Sequence, residues 1–302
     1  MTATQNSTTL TASDEEKYGR TSPTTYKLTP TQIQTFHSTG LVTLPSVLSP
    51  AEVTEQIIPT FDRFLHRSIP VPGKDFCDMS KPFSTPFEEW SIVNCMLPTL
   101  YHPPFQNNIF EVLTRDIVRQ LHPELDMMKD YDQLLNKRPG KRDAEFAWHQ
   151  DMGYWPSPKV LGVEETATCT FSLAVDDSLE ENGCLRYVPG SGLEKKLREH
   201  KPLSGSRDEG HALVLDVDES KGDVVELAIC RQGSVTVHDE WVVHGSGGNR
   251  CEDRQRRTYV LAYRPREVVE AERRLGFTHS HNDEVNWDTF EEEKGKNEKE
   301  GN

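Results

Sequence analysis

The segment Glu145-Phe-Ala-Trp-His-Gln-Asp-Met-Gly-Tyr-Trp-Pro156 constrains the fold of this chain more than any other. On an extended strand successive side chains point to opposite faces, so His149 and Asp151 share a face and can reach one metal ion. One histidine and one carboxylate leave such an ion under-ligated, so a third ligand must come from another strand. His244 is the candidate: it follows the alternating Ser234-Val-Thr-Val-His238 and the turn-like Asp239-Glu240, as a neighbouring strand of a barrel would. Two histidines and a carboxylate make a facial site for iron(II), with positions left open for a bidentate 2-oxo acid and then O2. About a strand's length beyond His244, the Arg256-Arg257 pair offers a fixed cation for a dicarboxylate.

The triplet alone is a weak signal. With 11 histidines and 49 acidic residues in 302, roughly two His-x-Asp/Glu matches arise by chance, and the chain has four. His122-Pro-Glu124 follows a helical pattern (Ile109, Val112, Leu113, Ile117, Leu121), which makes His122 a helix terminus. His238-Asp-Glu240 ends an alternating strand, where His238 reads as a packed neighbour of a site. His281-Asn-Asp283 lies near a polar tail with no later histidine to complete a triad, and the nearby His279-Ser-His281 pair reads as tail rather than metal site. Only His149-Gln-Asp151 has everything a metal centre needs.

Around this segment the chain reads as a single domain. Residues 1 to 25 are rich in Thr and Ser without periodicity and read as a disordered lead; residues 276–302 read as an acidic, polar, flexible tail. Thr29-Pro-Thr-Gln32 and Ser49-Pro-Ala-Glu52 are capping boxes with proline at the first helical position, so two helices start there, the second bending at Pro59. Alternating runs, among them His211–Val217, Asp223–Ile229 and Thr258–Tyr263, predict strands from about residue 131 to 264. From Ser68 to Pro104 aromatics and prolines dominate, and Phe83, Phe87, Trp90 and Tyr101 are candidate substrate-facing residues. The net charge of −15 argues against nucleic acid as a partner. No apolar run reaches the length of about 18 residues that a membrane span needs. The sequence shows neither the apolar segment of a signal peptide nor a peroxisomal tripeptide, and its six cysteines form no C-x-x-C pair, so a cytoplasmic protein with reduced thiols is expected.

The five segments Leu28–Phe36, Gly40–Val53, Glu145–Pro156, Asn182-Gly-Cys-Leu-Arg-Tyr-Val-Pro-Gly-Ser191 and His244-Gly-Ser-Gly-Gly-Asn249 occur in this order, and together they resemble the phytanoyl-CoA dioxygenase family of iron(II)/2-oxoglutarate oxygenases. The resemblance covers most of the chain. It implies a mainly β fold over residues 26–275, a double-stranded β-helix (jelly-roll, cupin-like) barrel with flanking N-terminal helices. It implies Fe(II) held by His149, Asp151 and His244, with 2-oxoglutarate and O2 as co-substrates. Arg256 would grip the distal carboxylate of 2-oxoglutarate; because the loop after His244 is about one residue longer than the family's spacing, Arg257 is the alternative. Adjacent strand residues face opposite ways, so only one of the two can face the iron. Gln133 matches a position contacting the co-substrate near the metal, and Ser246 a hydroxyl at the far end of the same pocket. Thr168, Thr170 and Ser172 alternate along the next strand and would offer hydroxyls to it.

Family members that halogenate lack a carboxylate at the position of Asp151, so hydroxylation, with release of succinate and CO2, is the implied outcome. The implied substrate is a small-molecule metabolite or natural product hydroxylated at an aliphatic carbon, as in secondary metabolism. An acyl-CoA 2-hydroxylase is the alternative, since Lys137, Arg138, Lys141 and Arg142 form a basic run that suits a coenzyme A thioester. A non-catalytic carboxylate-binding barrel and a peptide hydroxylase complete the readings. Oligomeric state is not legible in the sequence.

Overall fold

Period-two alternation decides where the apolar side chains of this chain go, and two sheets result. The computed structural model describes residues 18–285 except 204–208, 211, 219 and 221. Its strands, in chain order, are β1 (Gly19–Ser22), β2 (Thr25–Lys27), β3 (Leu41–Leu44), β4 (Phe76–Asp78), β5 (Ile92–Met96), β6 (Met127–Lys137), β7 (Phe146–His149), β8 (Cys169–Ala174), β9 (Leu185–Tyr187), β10 (Lys201–Pro202), β11 (Leu213–Val214), β12 (Glu226–Ala228), β13 (Val235–His238), β14 (His244–Ser246) and β15 (Arg256–Pro265). A seven-stranded sheet runs β3-β13-β8-β15-β6-β5-β4 and a four-stranded sheet runs β12-β9-β14-β7, with antiparallel neighbours throughout. The two sheets face each other across a cavity lined from both, the jelly-roll arrangement expected from the sequence.

The larger sheet is two-faced. Phe171 and Leu173 of β8, Val235 and Val237 of β13, and Tyr259, Leu261 and Tyr263 of β15 point away from the cavity into the main core. There they meet Phe110, Leu113, Ile117 and Val118 of the helix Ile109–Leu121, whose first amides are capped by the Asn108 side chain. Tyr259 lies 5.1 Å from the Phe105 ring and 5.2 Å from Phe110. The alternate residues Thr170, Ser172, Arg256, Thr258 and Val260 line the cavity instead.

Both expected N-terminal helices start at their capping boxes, at Pro30 and Pro50. Pro59 has no N–H for the carbonyl one turn back, and the chain accommodates it with a π segment, Val53–Ile57, in which the Ile58 amide reaches back to Val53 before the helix Ile58–Leu65 continues. Among the described residues no helix is long and apolar enough to cross a membrane.

Both ends of the domain differ from expectation. Residues 1–17 and 286–302 lie outside the described residues, but Gly19–Lys27 forms the β1–β2 hairpin, and the supposed tail continues as structure up to Val285. After the helix Arg266–Arg274 the chain returns over the cavity, burying Phe277 and His279. Its polarity misled because partners await it: Asp75 accepts from Ser280 Oγ at 2.7 Å, the His281 amide at 2.5 Å and Tyr101 at 2.6 Å. His279 Nε2 lies 2.7 Å from Asp130 and 3.5 Å from Glu272.

These contacts have a pH signature. Burial would lower the His279 pKa, but Asp130 and Glu272 reverse that and raise it above the ordinary histidine value. The resulting stabilisation is complete below the unfolded-state value of about 6.5 and is lost as pH rises through the higher folded-state value. The stability advantage of wild type over His279→Gln, read from urea midpoints, should therefore shrink as the pH rises above about 6.5; a constant difference would contradict the pairing.

Candidate metal centre

The site is built on one register. β14 lies between β9 and β7, and its pairing sets His244 directly opposite His149. β7 ends at His149 and Asp151 opens a short 3-10 turn, Asp151–Gly153, so the strand expected to carry both ligands is shorter than its pattern. Alternation still reaches Asp151, because Gln150 between them is extended at φ −113° and ψ 137°. Its side chain is anchored on the opposite side, donating to the Trp241 carbonyl at 2.7 Å and the Lys196 carbonyl at 3.0 Å and accepting from the Arg198 amide at 2.7 Å. Asp151 Oδ1 consequently lies 3.5 Å from both His149 Nε2 and His244 Nε2.

The donor set fits a metal ion. His149 Nδ1 lies 2.7 Å from the Ala147 carbonyl and His244 Nδ1 lies 3.0 Å from that of Val242, which places the ring protons on Nδ1 and turns the Nε2 lone pairs toward Asp151. Burial, with His149 and His238 adding to it, holds the His244 pKa well below its ordinary value and keeps the ring neutral. Two imidazole nitrogens and a carboxylate oxygen, buried and within 4.8 Å of one another, form a set that a cation can complete. The outer oxygen, Oδ2, is held by Thr170 Oγ1 at 3.1 Å and His238 Nε2 at 3.3 Å.

A second cluster, Asp130, Glu272 and His279, has metal-like spacing. It is instead neutralised from within, since Arg264 reaches Glu272 and Arg273 reaches Asp130 at 2.5 Å.

From the triad the cavity runs between the sheets to Arg256, past Gln133, Thr170, Ser172 and Ser246. Gln133 donates to Asn94 Oδ1 at 2.7 Å, and Thr168 is buried outside this lining. The two arginines part company as adjacent strand residues must. Arg257 faces the helices, with its Nε and NH2 on Asp176 at 3.0 and 2.7 Å and its NH1 on Asp62 at 2.7 Å. Arg256 faces the cavity, buried, with Nε donating to Ser178 Oγ at 3.3 Å and no ion pair among the described residues.

The family model for phytanoyl-CoA dioxygenase (PhyH) matches residues 36–258. The chain belongs to the phytanoyl-CoA dioxygenase family. A 2-aminoethylphosphonate dioxygenase from Uncultured bacterium HF130_AEPn_1 is 28% identical over 244 residues, spanning 79% of this chain and 81% of its own. EvdO2 from Micromonospora carbonacea var. aurantiaca, solved in complex with 2-oxoglutarate, has the same fold at a TM-score of 0.60 and 22% identity, covering 79% of this chain and 91% of EvdO2. SnoK, a non-heme alpha ketoglutarate dependent carbocyclase from nogalamycin biosynthesis, matches at a TM-score of 0.58 and 21% identity, over 79% of this chain and 84% of its own. This phytanoyl-CoA dioxygenase family member is an iron- and 2-oxoglutarate-dependent dioxygenase, and its buried His149, Asp151 and His244 fit the metal.

Beyond the triad the cavity widens toward solvent between Phe83, Phe146, Tyr131, Tyr154, Trp155 and Phe277. Of the four aromatics expected there, only Phe83 arrives. Phe87 and Trp90 pack on each other at 5.0 Å and with Phe76, and Tyr101 turns to Asp75. Sequence reasoning missed Tyr131 and Trp155, although Tyr131 shares period-two alternation with Gln133, and it missed Phe277 through the tail reading. The basic run is split: Lys137 is buried and Arg138 lies 4.4 Å over the Phe87 ring and donates to its carbonyl at 2.7 Å, whereas Lys141 is half-buried and Arg142 exposed.

Thr170 links the metal face to the larger sheet, and Thr170→Val removes one of the two contacts that hold Asp151 Oδ2. Anaerobic Fe(II) affinity should fall about tenfold while the fold persists; unchanged affinity would show that the Asp151 rotamer needs no such support.

Proposed function

We propose that this dioxygenase hydroxylates an aliphatic carbon of a small-molecule metabolite or natural product, releasing succinate and CO2. The observation that carries this reading is a cavity with a facial His149–Asp151–His244 set at one point and, farther in, a buried guanidinium, Arg256, that makes no ion pair among the described residues. Iron(II) bound to the triad, with 2-oxoglutarate, would supply the chemistry: oxidative decarboxylation of the 2-oxo acid activates O2, and one oxygen atom goes to the substrate.

The chain supplies position and exclusion. Arg256 would fix the distal carboxylate with a forked pair of charge-assisted hydrogen bonds and Ser246 would add a hydroxyl, while Gln133 would sit beside the 2-oxo end. Asp151, held through Oδ2 by Thr170 and His238, keeps its carboxylate on the metal face, which favours oxygen transfer to substrate over halide ligation. Tyr131, Tyr154, Trp155 and Phe277 would shield the reacting carbon, while Lys74, Ser280 and Asp283 on the same wall would meet polar groups of the substrate. SnoK, similar in fold, comes from nogalamycin biosynthesis, in keeping with a tailoring role. The acyl-CoA reading ranks second, because Lys137 and Arg138 are committed inside the protein. Residues 26–275, extended by the docked stretch to 285, would form the catalytic unit, and a cytoplasmic location would fit the free cysteines.

Two results follow from this assignment. Arg256→Gln should raise the KM for 2-oxoglutarate at least about tenfold, whereas Arg257→Gln should leave it in place and lower stability by stranding Asp62 and Asp176. In a screen of lipophilic metabolites and acyl-CoAs, turnover should couple succinate release to a product one oxygen atom heavier. A product of unchanged oxygen content would favour desaturation or ring formation instead.

A further inference from the structure

The sheet that carries His149 and His244 runs β12-β9-β14-β7 and is guarded at one edge only. At β7 the Leu215 amide covers the edge by donating to the Trp148 carbonyl at 2.8 Å. At β12, Glu226–Ala228, no strand lies farther out among the described residues. The direction of its free groups follows from β9. One step beyond the β9–β14 ladder the Val188 amide donates to the Val243 carbonyl at 2.9 Å, so alternation turns the main chain of Arg186 to β14 as well and leaves Leu185 and Tyr187 to bond β12. These two stand opposite Ala228 and Glu226, hence the N–H and C=O of Leu227, between them, point out of the sheet. Cys230 exchanges both of its main-chain bonds with Ser178, at 2.7 and 2.9 Å, and by the same alternation those of Ile229 point outward too. Open edges are usually blunted by lysine, proline or a covering segment. The run Val224-Val-Glu-Leu-Ala-Ile229 has neither Lys nor Pro. Beside the open groups stand Leu227, 42% exposed, and Ile229, 53% exposed, while Glu226 turns to the other face and accepts from the Tyr187 hydroxyl at 3.0 Å. A row of free donors and acceptors flanked by exposed apolar side chains is a template for another strand.

We propose that this edge pairs with the same edge of a second copy of the chain, antiparallel about Leu227. The segment is complementary to itself in that register: Leu227 meets its own copy, Val225 meets Ile229, and Asp223 falls opposite Arg231, an acid against a base. Asp223 and Arg231 each hold a partner within the chain, Arg198 at 2.9 Å and Asp177 at 2.7 Å, but the Arg231 side chain is 76% exposed and has donors left for a second acid. A slip of two residues would set Asp223 against Ile229 or Arg231 against Val225, so charge and apolar matching select the same alignment. Pairing would continue the four-stranded sheet of one copy into that of the other, with both metal centres built on the joined sheet.

The test is sedimentation equilibrium of the full chain over a concentration series, with cysteine crosslinking to read the register. Wild type should dimerise reversibly. Leu227→Lys, which sets like charges opposite each other at the dyad and removes two apolar contacts, should raise the dimer Kd at least about tenfold. Leu100→Lys, at an exposed leucine of the helix Pro98–Tyr101, should leave it within about twofold. On mild oxidation Leu227→Cys should give a disulfide-linked dimer, because that residue faces itself, while Ile229→Cys, which faces Val225, should give none beyond the wild-type background. A monomer at every concentration overturns the proposal. So does a dimer indifferent to Leu227→Lys, which would put the contact on another surface, or equal crosslinking by both cysteine variants, which would deny the register.

Discussion

Everything at this site depends on the register between β14 and β7. A one-residue slip would turn every side chain of β14 to the other face and remove His244 from the cavity. The chain guards that register with backbone contacts only glycine permits. A Cβ on Gly183, which has φ +80°, would meet the Gly247 carbonyl at 2.1 Å, and one on Gly248 would meet the Arg142 carbonyl at 1.9 Å. Both glycines belong to motifs that looked like signatures in the sequence; their physical role is to let the loops flanking β9 and β14 pack main chain to main chain. On the other ligand strand, the side-chain amide of Gln150 ties the segment to Trp241, Lys196 and Arg198, so that Asp151 returns to the face of His149.

The larger sheet divides its residues with equal economy. One face of β8, β13 and β15 contributes to a core closed by the helix Ile109–Leu121, and the other gives the cavity its hydroxyls, a histidine that steadies Asp151, and Arg256. Burying polar groups is unfavourable unless they are partnered, and most here are partnered within the protein. Arg256 stands apart: it is buried in the cavity wall and, among the described residues, makes no ion pair.

The legible parts of the sequence were those governed by local rules. His149 and Asp151 followed from spacing on an extended segment, His244 from an alternating run before it, and the helix starts from their capping boxes. Alternation says only that Arg256 and Arg257 face opposite ways; that Arg257 is the one held by Asp62 and Asp176, from a helix and a loop distant in sequence, is not written locally. Phe87 and Trp90 were misjudged because local composition cannot say whether an aromatic finds a partner, and they found each other. The stretch Phe277–Val285 was misread for the same reason: its charge and polarity are those of a tail, while Asp75 and Asp130, far back in the chain, make it a wall of the cavity. Lys137 read as one of a basic run suited to a coenzyme A thioester, yet it is the last rung of the longest ladder in the described fold.

The central claim is that His149, Asp151 and His244 hold one iron with two-point access for a 2-oxo acid. The most direct measurement is an anaerobic titration of metal-free protein with Fe(II) and 2-oxoglutarate, comparing wild type with His149→Ala by the visible charge-transfer band of the chelate. The account predicts a band that saturates at one iron per chain in wild type and is absent in the variant. A band of equal strength in both proteins, or in neither, would contradict it.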